Sequence, residues 1–194
     1  MHDSPKIAIT ANIAWHLYNF RRGLIEALED AGMSVVLLAA PDEYADRLAR
    51  PYRPFLPLTA LKRTGLNPIH DLELFRQIVR YYRELRIDGA LHYTSKANIY
   101  GGLACQLLSI PSIHTINGLG GPFSGDRLIA PQVIKVLYRL ALRKSDAVFF
   151  QNRHDLKFFC DRKMIRSQQG AIVDGSGVNT REPDPRTCRN PTPR

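Results

Sequence analysis

Cysteine is scarce in this sequence, and a long hydrophobic run is missing. The three cysteines, Cys105, Cys160 and Cys188, are far apart and odd in number. Because this spacing fits neither a zinc site nor a disulfide framework, it indicates a reducing compartment. No apolar run approaches the roughly 20 residues of a membrane-spanning helix. Residues 1–9 also lack the apolar core of a secretory signal, so we expect a cytoplasmic protein.

The glycine fingerprints of the common nucleotide-binding folds are missing too. No G-x-G-x-x-G follows the first predicted strand, which argues against a stand-alone NAD-dependent enzyme. No G-x-x-x-x-G-K-S/T occurs, which excludes a P-loop NTPase. What the sequence does have is 194 residues, of which 44% are hydrophobic and 23% charged. That length and composition predict a compact globular domain.

Positive charge exceeds negative charge along most of the chain. Lys and Arg number 27 against 18 Asp and Glu, a formal net charge of +9, and the excess is spread over residues 51–194. Such a surface suits an anionic partner such as a nucleic acid, a phosphorylated substrate or an acidic lipid surface, although solubility alone also accounts for it. This charge allows a basic phosphate- or nucleic-acid-binding module as an alternative of another class, but the absence of an RNA-binding signature and of a helix-turn-helix disfavours it.

Short apolar runs with β character alternate with amphipathic helices along the chain. The predicted strands are 6–11, 34–39, 53–58, 88–92, 112–116, 147–150 and 171–173. The predicted helices are 17–32, 41–50, 71–86, 98–108, 127–144 and 152–162. Asp71 is placed to cap its helix after a loop over 59–70. This alternation predicts an α/β fold, a Rossmann-like parallel sheet of six or seven strands with helices on both faces.

The composition changes near the end of the chain. After Asn179 the run TREPDPRTCRNPTPR contains four prolines, four arginines and no large apolar residue. We therefore predict a folded domain over 1–178 and a disordered Arg/Pro-rich tail over 179–194.

Ligands of parallel sheets bind beyond the carboxyl ends of the strands, where polar and glycine-rich loops are predicted here. Residues 12–22 carry Asn12, His16, Asn19 and Arg21 near a helix N-terminus, which favours an anion. Lys96 lies beside another helix start, and residues 117–125 contain four glycines. Each of these features also has a purely structural interpretation. The arginines of the first segment would be solvated surface residues, the polar residues at the second helix start would cap that helix, and the glycine-rich run would be a plain connector. We expect His114 to be packed within its strand rather than to act as a base.

The predicted helix over 127–144 combines a basic ridge with a broad apolar face. The ridge consists of Arg127, Lys135, Arg139 and Arg143. This combination suits a helix that lies on the surface of an anionic membrane. The alternative is a helix of the protein core whose basic edge is solvated.

Several ordered motifs resemble the N-terminal half of family 4 glycosyltransferases, especially those that extend lipid-linked glycans. The matching runs are NFRRGL (19–24), GLNPIHD (65–71), YTSKANIYG (93–101), GLG (118–120), FQNRHD (150–155) and GSGVN (175–179). The resemblance implies one half of a GT-B fold, peripheral on the inner face of the cytoplasmic membrane. It also implies retaining transfer from a nucleotide sugar to an undecaprenyl-diphosphate-linked sugar, with no metal, cofactor or nucleic acid.

The resemblance also assigns candidate site residues. The positions that match the acceptor side are Asn19, Arg21, Thr94, Lys96, Asn98, Tyr100, Gly118 and Gly120. Ala97 replaces a proline of the motif. Asn117 stands where many broader family members carry a histidine at the reaction centre. It is a weak candidate for a catalytic residue and at most a polar sugar contact, and no other catalytic residue is assigned.

The resemblance ends after residue 179, before the nucleotide-sugar domain that these enzymes carry. We therefore expect an acceptor-binding half that is inactive alone, with a truncated or frameshifted reading frame as the hypothesis for the tail. The alternative is the acceptor subunit of a split enzyme whose donor domain is a separate chain.

Overall fold

The computed structural model describes residues 4–61, 67–118 and 130–175 and confirms the predicted fold class. In this part of the chain, seven parallel strands form one sheet in the order β3-β2-β1-β4-β5-β6-β7. The strands are β1 Lys6–Ile13, β2 Ser34–Ala40, β3 Phe55–Pro57, β4 Gly89–Tyr93, β5 Ser112–Ile116, β6 Ala147–Phe150 and β7 Gly170–Ile172.

Helices connect the strands, and most lie close to the predicted positions. They are α1 Ala14–Asp30, α2 Ala45–Leu48, α3 Pro68–Leu85, α4 Gly102–Leu108, α5 Ala130–Leu142 and α6 Arg153–Asp161. A π-helix, Ala97–Gly101, leads directly into α4, and a 3₁₀ turn, Ser167–Gln169, precedes β7. The largest difference is α2, which occupies only four residues of the predicted 41–50 helix.

Both faces of the sheet are buried, as the unbroken apolar run of β2 predicts. Val35, Leu37 and Ala39 pack in the core beneath α1 and α2. Val36 and Leu38 point to the other face, into the core formed with α3, α4, α5 and α6. This alternation buries both faces of β2, which is typical of parallel sheets.

The start of α3 corrects two predictions. The helix begins at Pro68 within the predicted loop, and its cap is Asn67, not Asp71. The Asn67 side-chain oxygen accepts hydrogen bonds from the amides of Ile69 (3.1 Å) and His70 (3.4 Å). Proline is well suited to the first helical position after such a cap. Asp71 is instead buried in the first turn, where it meets the π-helix.

Two consecutive glycines let the π-helix lie directly on the sheet. A Cβ added to Gly101 would lie 2.2 Å from the His92 ring, and one added to Gly102 would lie 2.7 Å from the Ala141 carbonyl oxygen. His92 and His114 are themselves buried and stack with ring centroids 4.7 Å apart. Close packing therefore explains these glycines, and His114 is packed as predicted.

Some predicted features fall outside the described residues. They are Gly120, Arg127 and the 179–194 tail with its boundary at residue 178.

Candidate functional site

The sheet order places a crevice between β1 and β4. On one side of β1 lie β2 and then β3. On its other side lie β4, β5, β6 and β7, in that order. The segments after β1 and β4 therefore diverge at the carboxyl end of the sheet, the place where ligands of such folds bind. Side chains from α1, from the end of β4 and from the residue after β5 meet here.

Arg21 of α1 lies over the last residue of β4. Its guanidinium carbon is 4.0 Å from the centre of the Tyr93 ring, and only 7% of Arg21 is exposed. Burial lowers the pKa of Arg21 and raises the pKa of Tyr93. An arginine held flat against an aromatic ring keeps its positive charge in a fixed place at low entropic cost, which suits an anionic ligand.

Thr94, directly after β4, has an unusual backbone conformation. Its φ of 75° lies in the left-handed region, which a β-branched residue rarely adopts. Its hydroxyl donates to Asn12 Oδ1 at 2.7 Å, which ties the end of β4 to the end of β1. Strained residues of this kind cluster at ligand sites, so Thr94 is well placed in the crevice.

His16 and Asn117 form a second link across the crevice. His16 lies in the first turn of α1, and Asn117 directly follows β5. The Asn117 amide nitrogen donates to His16 Nε2 at 3.1 Å, so the imidazole proton resides on Nδ1. Burial, followed by the charge of Arg21, lowers the pKa of His16 to about 4. His16 is therefore neutral near pH 7. Asn117, as an amide, offers polar contacts but no base.

Lys96 has an internal counter-ion that the sequence analysis did not anticipate. Its ammonium group lies 2.7 Å from Asp71 Oδ1, and both side chains are buried. The Tyr100 hydroxyl also donates to Asp71, and burial together with this carboxylate raises the pKa of Tyr100. The charge of Lys96 beside the helix start is therefore partly neutralised by Asp71 within the fold. Contact of Lys96 or Tyr100 with an acceptor stays a prediction.

Asn98 is used within the fold. Its amide nitrogen donates to the Thr115 carbonyl oxygen at 2.9 Å, and its oxygen lies 3.3 Å from His114 Nδ1. The residue is 1% exposed. An acceptor contact by Asn98 would require these bonds to break. Asn98 therefore links the π-helix to β5 and does not line an open subsite.

The start of α1 is also partly occupied from within. Asp42 Oδ2 accepts from the Trp15 amide at 2.8 Å, which places a carboxylate where the sequence suggested an external anion. Asn19 donates back to the Trp15 carbonyl oxygen at 2.9 Å and is half-buried. Gly118 has a φ of 151°, a conformation that favours glycine directly after Asn117.

The α5 helix presents an apolar stripe with basic neighbours. Val133, Val136 and Leu140 are each about half exposed, and Leu107 of α4 is 59% exposed. Arg139 and Arg143 are exposed and Lys135 is half-buried. Arg139 donates to the carbonyl oxygens of residues 162 (2.8 Å) and 163 (3.0 Å), so it also secures the end of α6.

Two kinds of feature are absent from the part of the chain that the structure describes. No helix among the described residues is long and apolar enough to cross a membrane. No group of three His, Cys, Asp or Glu side chains among them is arranged to hold a metal ion.

Sequence reasoning missed three partners at this site, namely Tyr93 beneath Arg21, Asp71 beside Lys96 and His16 against Asn117. Tyr93 and Asp71 both lie within the motifs quoted above, which is the signal that could have linked them. The His16 contact spans 101 residues, and no local pattern indicates it.

The fold recurs in solved structures of sugar-related proteins. A glycosyltransferase from Rickettsia africae has a TM-score of 0.62 at 13% identity, covering 89% of this chain and 43% of that chain. MurG from Acinetobacter baumannii has a TM-score of 0.59 at 16% identity, covering 93% and 48%. UDP-N-acetylglucosamine 2-epimerase from Rickettsia bellii has a TM-score of 0.61 at 13% identity, covering 88% and 44%. The chain thus spans a little under half the length of these three structures.

These identities are low, so the structural likeness shows the fold alone. Comparison with curated proteins finds no matching sequence. The family described as "Glycosyl transferase 4-like domain", however, matches residues 19–162, which is most of the chain and includes Arg21, Thr94, Asn117 and α5. The chain therefore belongs to the glycosyl transferase 4-like domain family, with the architecture of one half of a GT-B glycosyltransferase.

Proposed function

We propose that this domain is the acceptor-binding half of a retaining glycosyltransferase. The reaction transfers a sugar from a nucleotide sugar to a polyprenyl-diphosphate-linked glycan in surface polysaccharide or glycoprotein synthesis. The observation that carries the proposal is the convergence of Arg21, Thr94 and Asn117 at the β1–β4 crevice. Arg21 and Thr94 come from two separate motifs and Asn117 directly precedes a third, and the family match, which covers all three residues, supports their common purpose.

Arg21 is the group that we assign to the diphosphate of the acceptor. Its guanidinium is fixed by Tyr93, and charge-assisted hydrogen bonds from a planar guanidinium suit phosphate oxygens. Lys96 adds positive charge close to the crevice although Asp71 partly offsets it. The remaining acceptor contacts are proposed for Asn19, Thr94, Tyr100, Gly118 and Gly120. A contact by Asn98 would in addition require its bonds to Thr115 and His114 to break.

The nucleotide sugar is bound, in this proposal, by a second domain that belongs either to the same polypeptide or to a separate chain. The coverage of less than half of the similar structures supports a two-part cleft. Glycosyl transfer depends on both substrates being held together away from water, so this half is inactive without its complement.

The α5 surface is proposed as the contact with an anionic membrane. Its apolar stripe of Val133, Val136 and Leu140 is flanked by Arg139 and Arg143. An apolar face beside basic side chains inserts at the headgroup region and attracts anionic lipids. A polyprenyl-linked acceptor lies in that membrane, so the domain would meet its substrate there.

Titration of the purified chain tests the proposal. One arm uses a short-chain polyprenyl-diphosphate sugar in detergent, and the other uses UDP-sugars. Binding of the lipid without binding of the nucleotide is the expected result. Binding of a UDP-sugar by this chain alone would assign it to the donor side and overturn the proposal.

A further inference from the structure

Two buried polar atoms at the crevice have no hydrogen-bond partner within the described chain. They are His16 Nδ1 and Asn117 Oδ1. Buried polar atoms are nearly always paired in folded proteins, and an unpaired one invites a ligand or water. Here the two belong to neighbouring side chains, joined to each other through His16 Nε2 and the Asn117 amide nitrogen. Both lie at the ligand edge of the sheet.

The chemistry of this pair is well defined. Because the Asn117 amide nitrogen donates to Nε2, the unpaired Nδ1 carries a hydrogen and is a donor. The unpaired Asn117 oxygen is an acceptor. Rotating the amide by 180° would exchange these roles, yet one donor and one acceptor would still remain. The pair therefore offers complementary functions to an incoming group.

The pair is also neutral, which separates it from the nearby cation. Arg21 and burial keep the imidazole uncharged near pH 7. An amide oxygen repels phosphate oxygens, which only accept hydrogen bonds, whereas a hydroxyl group both donates and accepts. The His16 ring also lies 5.3 Å from the Phe20 ring and 6.4 Å from the Tyr93 ring. Hydroxyl groups on an otherwise apolar ring face match these surroundings.

We propose that His16 Nδ1 and Asn117 Oδ1 read a hydroxyl group of the sugar, while Arg21 holds the charged part of the same ligand. The inference rests on the proposed function and deepens it by dividing the crevice into a hydroxyl-reading pair and an anion-binding cation. His16 and Asn117 thus determine specificity for the sugar rather than affinity for the lipid diphosphate.

Two lipid probes separate these roles in the full chain. One is a short-chain polyprenyl diphosphate that carries a sugar, and the other is the same polyprenyl diphosphate without it. His16→Ala and Asn117→Ala should each weaken binding of the sugar-bearing lipid by about tenfold or more and leave the sugar-free lipid unchanged. The double variant should lose little more than either single variant, because the two side chains act as one unit. His154→Ala, an exposed position on α6, is the matched control.

A direct readout is the ring ¹⁵N signal of His16. The sugar-bearing lipid should shift the Nδ1 resonance, and the sugar-free lipid should not. Equal weakening of both lipids by the variants would place the diphosphate at this pair and overturn the inference while leaving the proposed function intact.

If neither lipid binds, the proposed function fails, and free methyl glycosides then test the pair alone. A saturable shift of His16 Nδ1 with a methyl glycoside of glucose, galactose or N-acetylglucosamine would support a hydroxyl site. No shift with any of the three would overturn it.

Discussion

Single residues at the crevice are shaped as much by burial as by charge. Arg21 is held against Tyr93, and His16 is kept neutral beside it. The same few residues thus combine a fixed cation with a neutral polar pair. This arrangement suits a ligand that has one anionic part and one hydroxyl-bearing part.

Replacing Arg21 tests the assignment of the anionic part. Arg21→Ala should weaken binding of the polyprenyl-diphosphate sugar by roughly 10- to 100-fold, because a charge-assisted hydrogen bond contributes about 1.5–3 kcal/mol. Isothermal titration in detergent measures the effect, and urea unfolding checks that the variant is folded. Arg22→Ala, one position along α1 and more exposed, is the control. Unchanged affinity in a folded Arg21→Ala variant would contradict the assignment.

The two buried histidines, His92 and His114, and the half-buried His16 should make the domain sensitive to acid. Burial lowers the pKa of His16 to about 4 and of His92 to about 3, and burial with the neighbouring His92 lowers the pKa of His114 well below its usual value. The unfolded chain takes up these protons near pH 6.5, so below that pH it binds more protons than the folded chain. The free energy of unfolding should therefore be constant above pH 6.5 and fall between pH 6.5 and 4.

Each such histidine contributes a slope of about 1.4 kcal/mol per pH unit in that window. Urea unfolding at pH 7, 6, 5 and 4.5 measures the slope. His16→Gln should reduce this slope by about 1.4 kcal/mol per pH unit, the contribution of one proton. The substitution His154→Asn at an exposed position should leave the slope unchanged. A free energy that is flat down to pH 4.5 would show that these histidines do not stay neutral in the folded state.

At the scale of elements, the π-helix joins the parts of the site. It packs on His92 and His114 through Gly101 and Gly102, and its flanking Lys96 reaches Asp71 in the first turn of α3. π-helical segments are rare and recur at functional sites. Residues 67–71 and 93–101, which belong to two motifs that are separate in sequence, therefore form one structural unit.

The Lys96–Asp71 ion pair should hold this unit together. Lys96→Met leaves the buried Asp71 carboxylate without its counter-ion, and Asp71→Asn does the converse for the ammonium group. Each single variant should lower the free energy of unfolding by about 3–5 kcal/mol, and the double variant by clearly less than their sum. The Lys157–Asp161 pair has the same 2.7 Å separation but is exposed.

Chemical denaturation of all three variants measures this coupling. The control Lys157→Met should leave the unfolding free energy almost unchanged, since exposed ion pairs contribute little. Additive effects of the Lys96 and Asp71 variants would mean that the pair does not form. Lys96→Ala should accordingly destabilise the domain, so a binding assay on it requires a stability check.

The glycines of the π-helix provide a second test at this scale. Gly101→Ala would place a methyl group 2.2 Å from the His92 ring and should cost about 1–3 kcal/mol of stability. Gly23→Ala in α1 is the matched control, because its added Cβ meets no atom within 4 Å. That control should stabilise the domain by up to about 1 kcal/mol. Thermal unfolding compares the two, and equal effects would contradict the packing explanation.

At the scale of the whole molecule, the strand order decides where function can lie. The strand order reverses between β1 and β4, which opens the crevice at the carboxyl end of the sheet. The α5 surface lies on the sheet face that carries α3, α4 and α6. The α1 and α2 helices occupy the opposite face. The proposed membrane contact through α5 would therefore use one sheet face and leave the opposite face, with α1 and α2, away from the membrane.

Vesicle binding tests this orientation. A variant with Val136→Asp and Arg143→Glu should bind vesicles of phosphatidylcholine and phosphatidylglycerol more weakly by at least fivefold, because each basic residue near the surface contributes about 1 kcal/mol. Arg139 is left intact, since it secures α6. Arg47→Glu on α2 is the control on the opposite face. Equal binding by both variants would leave α5 as a helix with a solvated edge.

The sequence by itself determined the fold class and most of its elements. Alternation of apolar runs with amphipathic segments is a local property, so β5 and β6 were predicted at their observed bounds. The unbroken apolar run of β2 likewise indicated burial on both faces. The position of α3 was less well predicted because Asn67-Pro68 and Asp71 both resemble helix starts, and only the packed structure shows which side chain reaches the helix amides.

The tertiary structure alone decided which polar groups act together. Lys96 carries no local sign that Asp71, 25 residues earlier, is its counter-ion, and His16 carries none that Asn117 is its partner. Such contacts depend on strand order and on the depth at which each side chain is buried. Charge and hydrogen-bonding state follow from that burial, so the division of the crevice into a cation and a neutral pair emerges only when the chain is folded.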